Sequence, residues 1–185
     1  IAKEGLKPED VSIIGVGSGL SAVAGMKKGE LDAISNLDPV ITKLQQDGDI
    51  VVLADSRSEA DNKKLFGGNN PAAGVYLKQD FIEKNPRTVQ AIVNAFYKTQ
   101  KWLEKATPEE IVKAMPEEYY LGDRALYLAA VKASKPMYSV TGIIPPEGMK
   151  TALDMLVQFD PEMKDAKIDL SKTYTNKYVE AATKG

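Results

Sequence analysis

The sequence predicts an α/β fold, and two observations support this prediction. Over the first third of the 185-residue chain, short apolar runs alternate with amphipathic segments, a pattern typical of βαβ units in a parallel sheet. Glycine, proline, aspartate and asparagine lie where these runs and segments meet, at positions that suit turns and helix ends. Later in the chain the apolar spacing is that of helices. We therefore expect a parallel sheet first and a mainly helical second half.

The strand predictions rest on four runs rich in β-branched and apolar residues: residues 11–16, 31–36, 50–54 and 73–77. Ser18 is predicted to cap the helix after the first run, and Gly29 to end it. Asp38 and Pro39 are predicted to begin the next helix, which Gly48 ends. The first three strands should be parallel because such crossovers are right-handed. The fourth strand needs a partner from that sheet, from another chain or from sequence not present here.

The second half contains clear signals for helix starts. Asn85-Pro86 precedes a long stretch of helical periodicity, and Thr107 with Glu110 has the pattern of a capping box. Asp123 is a candidate N-cap, and Pro145-Pro146 is predicted to precede a further helix. This half of the chain is therefore expected to be a set of separate helices joined by short turns.

The composition excludes several classes of function. The chain has no cysteine and no histidine, which rules out disulfides, thiol nucleophiles, Cys/His zinc sites and catalysis by imidazole. The net charge is −2, and 24 basic residues are scattered among 26 acidic ones, so we expect no surface that binds nucleic acid. We also expect no catalytic residue, no metal and no cofactor.

The best candidate for a binding site is the turn from Gly15 to Gly19. It follows a predicted strand and opens a predicted helix, where free N–H groups and the helix dipole attract an anion. Gly17, Ser18 and Gly19 are the candidate ligand-binding residues of this turn. It lacks the spacing of a dinucleotide fingerprint and the lysine of a P-loop. The glycines are equally compatible with a tight turn that binds nothing.

Further candidates follow other predicted strands. Asn36 and Asp38 come at the end of the second strand, at the edge of a parallel sheet where ligands bind. Asn36 is suited to hydrogen-bond a ligand and Asp38 to meet an amine, although Asp38 before a proline is also explained as an N-cap alone. Asn69 and Asn70 either line a cleft or only adopt turn conformations that asparagine tolerates.

A set of short segments, spread over nearly the whole chain, carries a resemblance to a known family: Gly5–Val11, Gly15–Gly19, Ala22–Gly29, Leu31–Ala33, Asp38-Pro39, Gly74–Leu77, Phe81–Pro86 and Ile168–Ala182. Together they resemble the nitrate/taurine-type (NMT1/THI5-like, SsuA/TauA-like) periplasmic solute-binding proteins of ABC importers. The resemblance implies a type II periplasmic-binding-protein fold, with two α/β lobes and a ligand in the cleft between them.

The resemblance also implies a domain organisation. Residues 1–57 would form most of the second lobe, residues 58–72 a crossover or hinge, and residues 73–185 the mainly helical C-terminal part of the first lobe. The opening strands and helices of the first lobe would be absent, so the chain would be truncated at its N-terminus. By the same comparison the glycine turn, Asn36 and Asp38 would face the cleft, and Asn69 and Asn70 would lie near the crossover.

The function implied by the resemblance is capture of a small anionic or zwitterionic solute, such as a sulfonate, nitrate or carboxylate, and its delivery to an ABC permease in the membrane. The protein would act without catalysis in the periplasm or outside the cell, with a lipid anchor on the absent N-terminal part as one option. Two alternatives stay open. One is an enzyme or binding protein related to the synthesis of the thiamine pyrimidine precursor, and the other is a helical protein-interaction module.

Overall fold

Helices joined by irregular segments make up residues 5–183, which are the residues that the computed structural model describes, except for the side chains of Pro8 and Pro161. The α-helices of this part of the chain are α1 Leu20–Lys27, α2 Val40–Gln46, α3 Glu59–Phe66, α4 Gln79–Lys84, α5 Pro86–Lys105, α6 Pro108–Ala114, α7 Arg124–Ser134, α8 Pro146–Phe159 and α9 Lys177–Ala182. Short 3-10 helices span Pro8–Asp10, Glu117–Tyr120, Lys135–Met137, Pro161–Met163 and Leu170–Lys172.

The predicted α/β fold, and with it the two-lobed type II binding-protein fold of an N-terminally truncated chain, is wrong for this structure. Between residues 5 and 183 there is no β-strand and no sheet. The four runs predicted as strands are non-helical, but none is hydrogen-bonded to a neighbouring strand. A strand is defined by its ladder of hydrogen bonds to a neighbour, whereas sequence composition reports only that a segment favours straight backbone and apolar surroundings. The four strand predictions are therefore wrong, because the pairing that a strand requires is absent from residues 5–183.

Several of these unpaired runs expose large apolar side chains. The exposed fractions are 83% for Ile13, 61% for Ile14, 83% for Val51, 91% for Leu53 and 93% for Tyr76. Single exposed apolar residues are ordinary on protein surfaces, but consecutive ones in a non-helical segment are not.

The described chain divides into two compact units. The first unit comprises Ile1–Val51 and Pro116–Ala130. Its α1 and α2 pack against each other through a small core of Ala22, Val23, Val40 and Leu44, all at most 5% exposed. Val16 and Ile34, from two of the runs predicted as strands, pack against the same core. The core therefore fixes the segments on both sides of α1.

The second unit comprises Val52–Met115 and Val131–Gly185, and α5 is its longest helix. The C-terminal helix α9 packs along α5, where the Gln90 side chain donates a 2.8 Å hydrogen bond to the carbonyl of Tyr178. The Asn176 side chain bonds both the N–H and the carbonyl of Ile144, at 2.9 Å each. These hydrogen bonds link segments far apart in sequence into one unit. Trp102 lies near the end of α5 and is 43% exposed.

The predicted helix starts of the second half are confirmed. Pro86 is the first residue of α5, Pro146 is the first residue of α8, and Thr107 forms a complete capping box with Glu110 at the start of α6. Asp123 accepts hydrogen bonds from the N–H groups of two residues in the first turn of α7, at 2.8 and 3.0 Å. Local signals predict these boundaries well because each cap is made by residues within three positions of the helix.

No helix in the described part of the chain is both long enough and apolar enough to cross a membrane.

Candidate functional site

The glycine turn begins where the first unpaired run ends, and its shape depends on Gly17. Gly17 has φ of +68°, in the left-handed region that favours glycine. Gly19 follows as the N-cap of α1, with φ −122° and ψ −160° and no side-chain hydrogen bond to the helix. The predicted capping by Ser18 is therefore wrong, because the helix begins at Leu20, one residue too late for Ser18 to be its N-cap. The three residues nonetheless form the entrance to α1, as predicted.

The N-terminus of α1 is open to a ligand. The N–H of Ala22 bonds the carbonyl of Gly19 at 3.1 Å, whereas the N–H groups of Leu20 and Ser21 have no partner among residues 5–183. No acidic side chain occupies the first turn, and Lys27 lies in the last turn. The positive end of the helix dipole is thus not neutralised locally, which favours a negative group at this position.

Asn36 joins the glycine turn to the segment that follows the second unpaired run. Its side-chain nitrogen donates to the carbonyl of Gly17 at 2.8 Å, and its side-chain oxygen accepts from the N–H of Leu37 at 2.9 Å. The hydroxyl of Ser21 adds a 3.1 Å bond to the carbonyl of Val16. The structure therefore places Asn36 against Gly17, where its side-chain amide holds the turn, and its predicted hydrogen bond to a ligand stays a prediction.

Asp38 stabilises the start of α2. Its Oδ1 accepts hydrogen bonds from the N–H of Thr42 at 3.1 Å and from the hydroxyl of Thr42 at 2.6 Å. Thr42 is 7% exposed and was not singled out from the sequence. The N-cap position itself belongs to Pro39, with a cis bond between Asp38 and Pro39. The predicted N-cap position of Asp38 and the predicted first helical position of Pro39 are therefore wrong by one residue, although the Asp38 side chain accepts a hydrogen bond from an N–H of the first turn of α2.

A group of charged side chains ties α1 to the end of α2. Lys27 Nζ lies 2.6 Å from Asp47 and 3.3 Å from Asp49, and Lys43 Nζ lies 2.9 Å from Asp47. The hydrogen bond from Lys27, followed by that from Lys43, lowers the pKa of Asp47 below its usual value. The bonds to Asp47 and Asp49 raise the pKa of Lys27 in turn. These ion pairs are exposed, and they hold α1 to the end of α2 in addition to the apolar core between the two helices.

Asn69 and Asn70 lie in the second unit, half-buried in the segment between α3 and α4. The structure places them next to Gly68, where an added Cβ would come within 2.5 Å of the hydroxyl of Thr151. The tight fit of that segment against α8 is a structural reason for glycine at position 68. The role of Asn69 and Asn70 in binding stays a prediction.

One surface cavity of about 370 Å³ lies within the second unit, between the ends of α5 and α7. It is lined by Gln100, Leu103, Glu104, Lys132, Lys135, Pro136, Tyr138, Ser139 and Val140. Sequence reasoning did not select these residues because they come from three segments without a shared motif. Lys132 pairs with Glu109 at 3.0 Å, and Lys135 Nζ lies 3.5 Å from the carbonyl of Glu104, so both ammonium groups already have partners within the protein.

Comparison with known families decides the family of the chain. A family model described as the NMT1-like family matches residues 1–115, which include the glycine turn, Asn36, Asp38 and both asparagines of the second unit. The chain belongs to the NMT1-like family. Membership in the NMT1-like family is consistent with a protein that binds a small solute, as the resemblance of the sequence motifs implied. No curated protein matches the chain.

A solved structure from Bordetella bronchiseptica RB50 is similar to this NMT1-like chain. The two are 47% identical in sequence and superpose with a TM-score of 0.93 over 99% of the present chain. This chain spans 57% of the length of the solved chain. The backbone described above is thus similar to that of part of a longer polypeptide.

Proposed function

We propose that this protein is the solute-binding component of an ABC importer. The observation that carries the proposal is the open N-terminus of α1 at the glycine turn, in a chain of the NMT1-like family. Backbone N–H groups at a helix N-terminus bind an anionic group without a charged side chain.

The geometry favours a small anionic or zwitterionic solute such as a sulfonate, nitrate or carboxylate. The negative group would lie against the N–H groups of Leu20 and Ser21, with the Ser18 hydroxyl beside it. Asp38 follows Asn36 by two residues, and Asn36 is hydrogen-bonded to the turn, so the Asp38 carboxylate, which also accepts from Thr42, is the candidate partner for an amine on the same solute. A solute with both charges would use both groups.

The remaining parts of the proposal concern the protein as a whole. It acts without catalysis, in the periplasm or outside the cell, and hands its solute to a permease in the membrane. A further segment of the same protein completes the binding site opposite the glycine turn and, as one option, carries a lipid anchor. The greater length of the Bordetella chain supports this companion segment.

The proposal is tested with a panel of taurine, alkanesulfonates, nitrate, aromatic acids and pyrimidines, read by thermal shift and calorimetry. The panel is applied to the chain alone and to the chain fused to the part of the Bordetella protein that lies outside the matched region. A solute at 100 times its dissociation constant stabilises its site by about 2.7 kcal/mol, which thermal shift detects. Absence of a response to every solute in both forms would refute the function.

A matched pair of glycine variants assigns the response to the turn. Gly17 and Gly48 have φ of +68° and +76° in the same unit, and both have open space where a Cβ would be added. Either change to alanine should therefore cost a similar amount of stability, about 1 kcal/mol. We expect Gly17→Ala to weaken binding of the responding solute at least tenfold and Gly48→Ala to leave it unchanged. Equal effects would show that the turn is not the site.

A further inference from the structure

The cavity between the ends of α5 and α7 belongs to the second unit alone, whereas the glycine turn belongs to the first. Its volume of about 370 Å³ lies within the range of about 300–1,000 Å³ that small-molecule sites occupy. Part of its lining is apolar, formed by Leu103, Pro136 and Val140, and the rest is polar. An apolar wall combined with a few polar groups is the usual composition of a site for a small ligand.

Residues 138–140, which form one wall of the cavity, are held in place by contacts just beyond them. The N–H of Gly142 donates to the hydroxyl of Ser139 at 2.9 Å. Gly142 has φ of +70°, which favours glycine, and an added Cβ there would lie 2.6 Å from the side-chain oxygen of Gln100 in α5. The side chain of Asn176 binds the backbone two residues further along. The wall therefore has its shape without a ligand, which reduces the entropy lost on binding.

Gln100 provides hydrogen-bonding groups that the protein itself does not use. Its side chain is half-buried and lines the cavity. Among residues 5–183, its amide forms no hydrogen bond. A side-chain amide has two N–H donors and one carbonyl acceptor, and partly buried groups of this kind need a partner. The Gln100 amide is therefore available to a ligand in the cavity.

The charge at the cavity favours an anion. Glu104 pairs with Lys101 at 3.0 Å, and Lys132 pairs with Glu109 at 3.0 Å, so these four charges compensate one another. Lys135 is half-buried and pairs with no carboxylate of residues 5–183. Its Nζ lies 3.5 Å from the neutral carbonyl of Glu104, which is longer than the usual N–H···O distance of about 2.7–3.2 Å. An ammonium group in this position would gain from a negatively charged ligand.

We infer that this cavity is a second ligand site, which binds a small carboxylate with an aromatic or branched apolar body. The carboxylate pairs with Lys135 and accepts a hydrogen bond from the Gln100 amide, and the apolar body lies against Leu103 and Val140. An amine binds less well, because the Glu104 carboxylate at the cavity already has a lysine partner. The site uses no residue of the glycine turn, so it is independent of the proposed function.

The test is a nuclear magnetic resonance titration of the ¹⁵N-labelled chain with benzoate, benzylamine and acetate, each at constant ionic strength and pH. We expect benzoate to give saturable shifts of the amides of residues 100–104 and 137–140. Benzylamine, which lacks the negative charge, and acetate, which lacks the apolar body, should bind at least tenfold more weakly. Benzoate shifts confined to the first unit would overturn the second site and leave the proposed function standing. No saturable shift with benzoate, or equal binding of benzylamine, would also overturn it.

Lysine variants with a matched control assign the charge. Lys135→Gln and Lys105→Gln each remove one ammonium group at the C-terminal end of α5, but only Lys135 lines the cavity. We expect Lys135→Gln to weaken benzoate binding at least tenfold, and Lys105→Gln and Lys135→Arg to leave it almost unchanged. Val140→Asp, at a 44% exposed position, adds a negative charge to the apolar wall without touching the Lys135 contact and should abolish binding. Equal binding by Lys135→Gln and Lys105→Gln, or full binding by Val140→Asp, would overturn the inference.

Discussion

Leu44 provides a direct test of how the candidate site is supported. It is fully buried, with 0% exposure, between α1 and α2. Replacing it by alanine removes three carbon atoms from a small core, and such changes at buried leucines cost about 2–5 kcal/mol. Leu37 is the matched control, because it is a leucine of the same unit with 73% exposure. Leu37→Ala should change stability by less than about 0.5 kcal/mol.

The assay is native-state hydrogen exchange of the α1 and α2 amides, supported by urea unfolding followed by circular dichroism. Since about 1.4 kcal/mol corresponds to a factor of ten, a loss of about 2 kcal/mol accelerates exchange through opening of this unit by about 30-fold. Leu37→Ala should leave the exchange rates almost unchanged. If both variants accelerate exchange equally, Leu44 is not the residue that holds α1 to α2, and the account of how the glycine turn is positioned fails.

Two further predictions concern a helix cap and a pH dependence. Thr107→Ala removes the hydrogen bond that the Thr107 hydroxyl accepts from the N–H of Glu110 and the one that it donates to the Glu110 carboxylate, while the bond from the backbone N–H of residue 107 to Glu110 is kept. We expect the free energy of unfolding to fall by about 1 kcal/mol, whereas Thr107→Ser should retain most of it; urea midpoints measure both. The pKa of Asp47 is lowered in the folded chain by Lys27 and then by Lys43, so its stabilising contribution is present above its unfolded pKa of about 3.8 and is lost as the pH falls through the lowered value. Asp47→Asn should therefore flatten the decline in urea midpoint below pH 3.8, and an unchanged decline would contradict the assigned pairing.

The helix starts of the second half could be predicted because their causes are local. Asn85-Pro86, Thr107 and Asp123 each begin a helix through bonds or sterics within a few residues. Gly29 and Gly48 were predicted to end α1 and α2, and both have positive φ there, at +69° and +76°. Signals that act over a few residues can be interpreted without knowledge of the tertiary fold.

The absence of a sheet from residues 5–183 could not be predicted because pairing is not local. Residues 11–16 have the composition of a strand, but composition does not supply the neighbour whose backbone completes the ladder. The contacts at the candidate site could not be predicted for the same reason. The bond from Asn36 to Gly17 depends on how two unpaired runs pack, and the bond from Thr42 to Asp38 depends on where α2 begins, which the sequence placed one residue too early.

The position of Trp102 has a practical consequence. It is the sole tryptophan of the sequence and lies near the end of α5, in the second unit, while 43% of its surface is exposed. Tryptophan fluorescence therefore reports on the second unit alone. The first unit, which contains the glycine turn, does not contribute to it. An unfolding curve followed by tryptophan emission and another followed by the helical signal will coincide only if the two units lose their structure together.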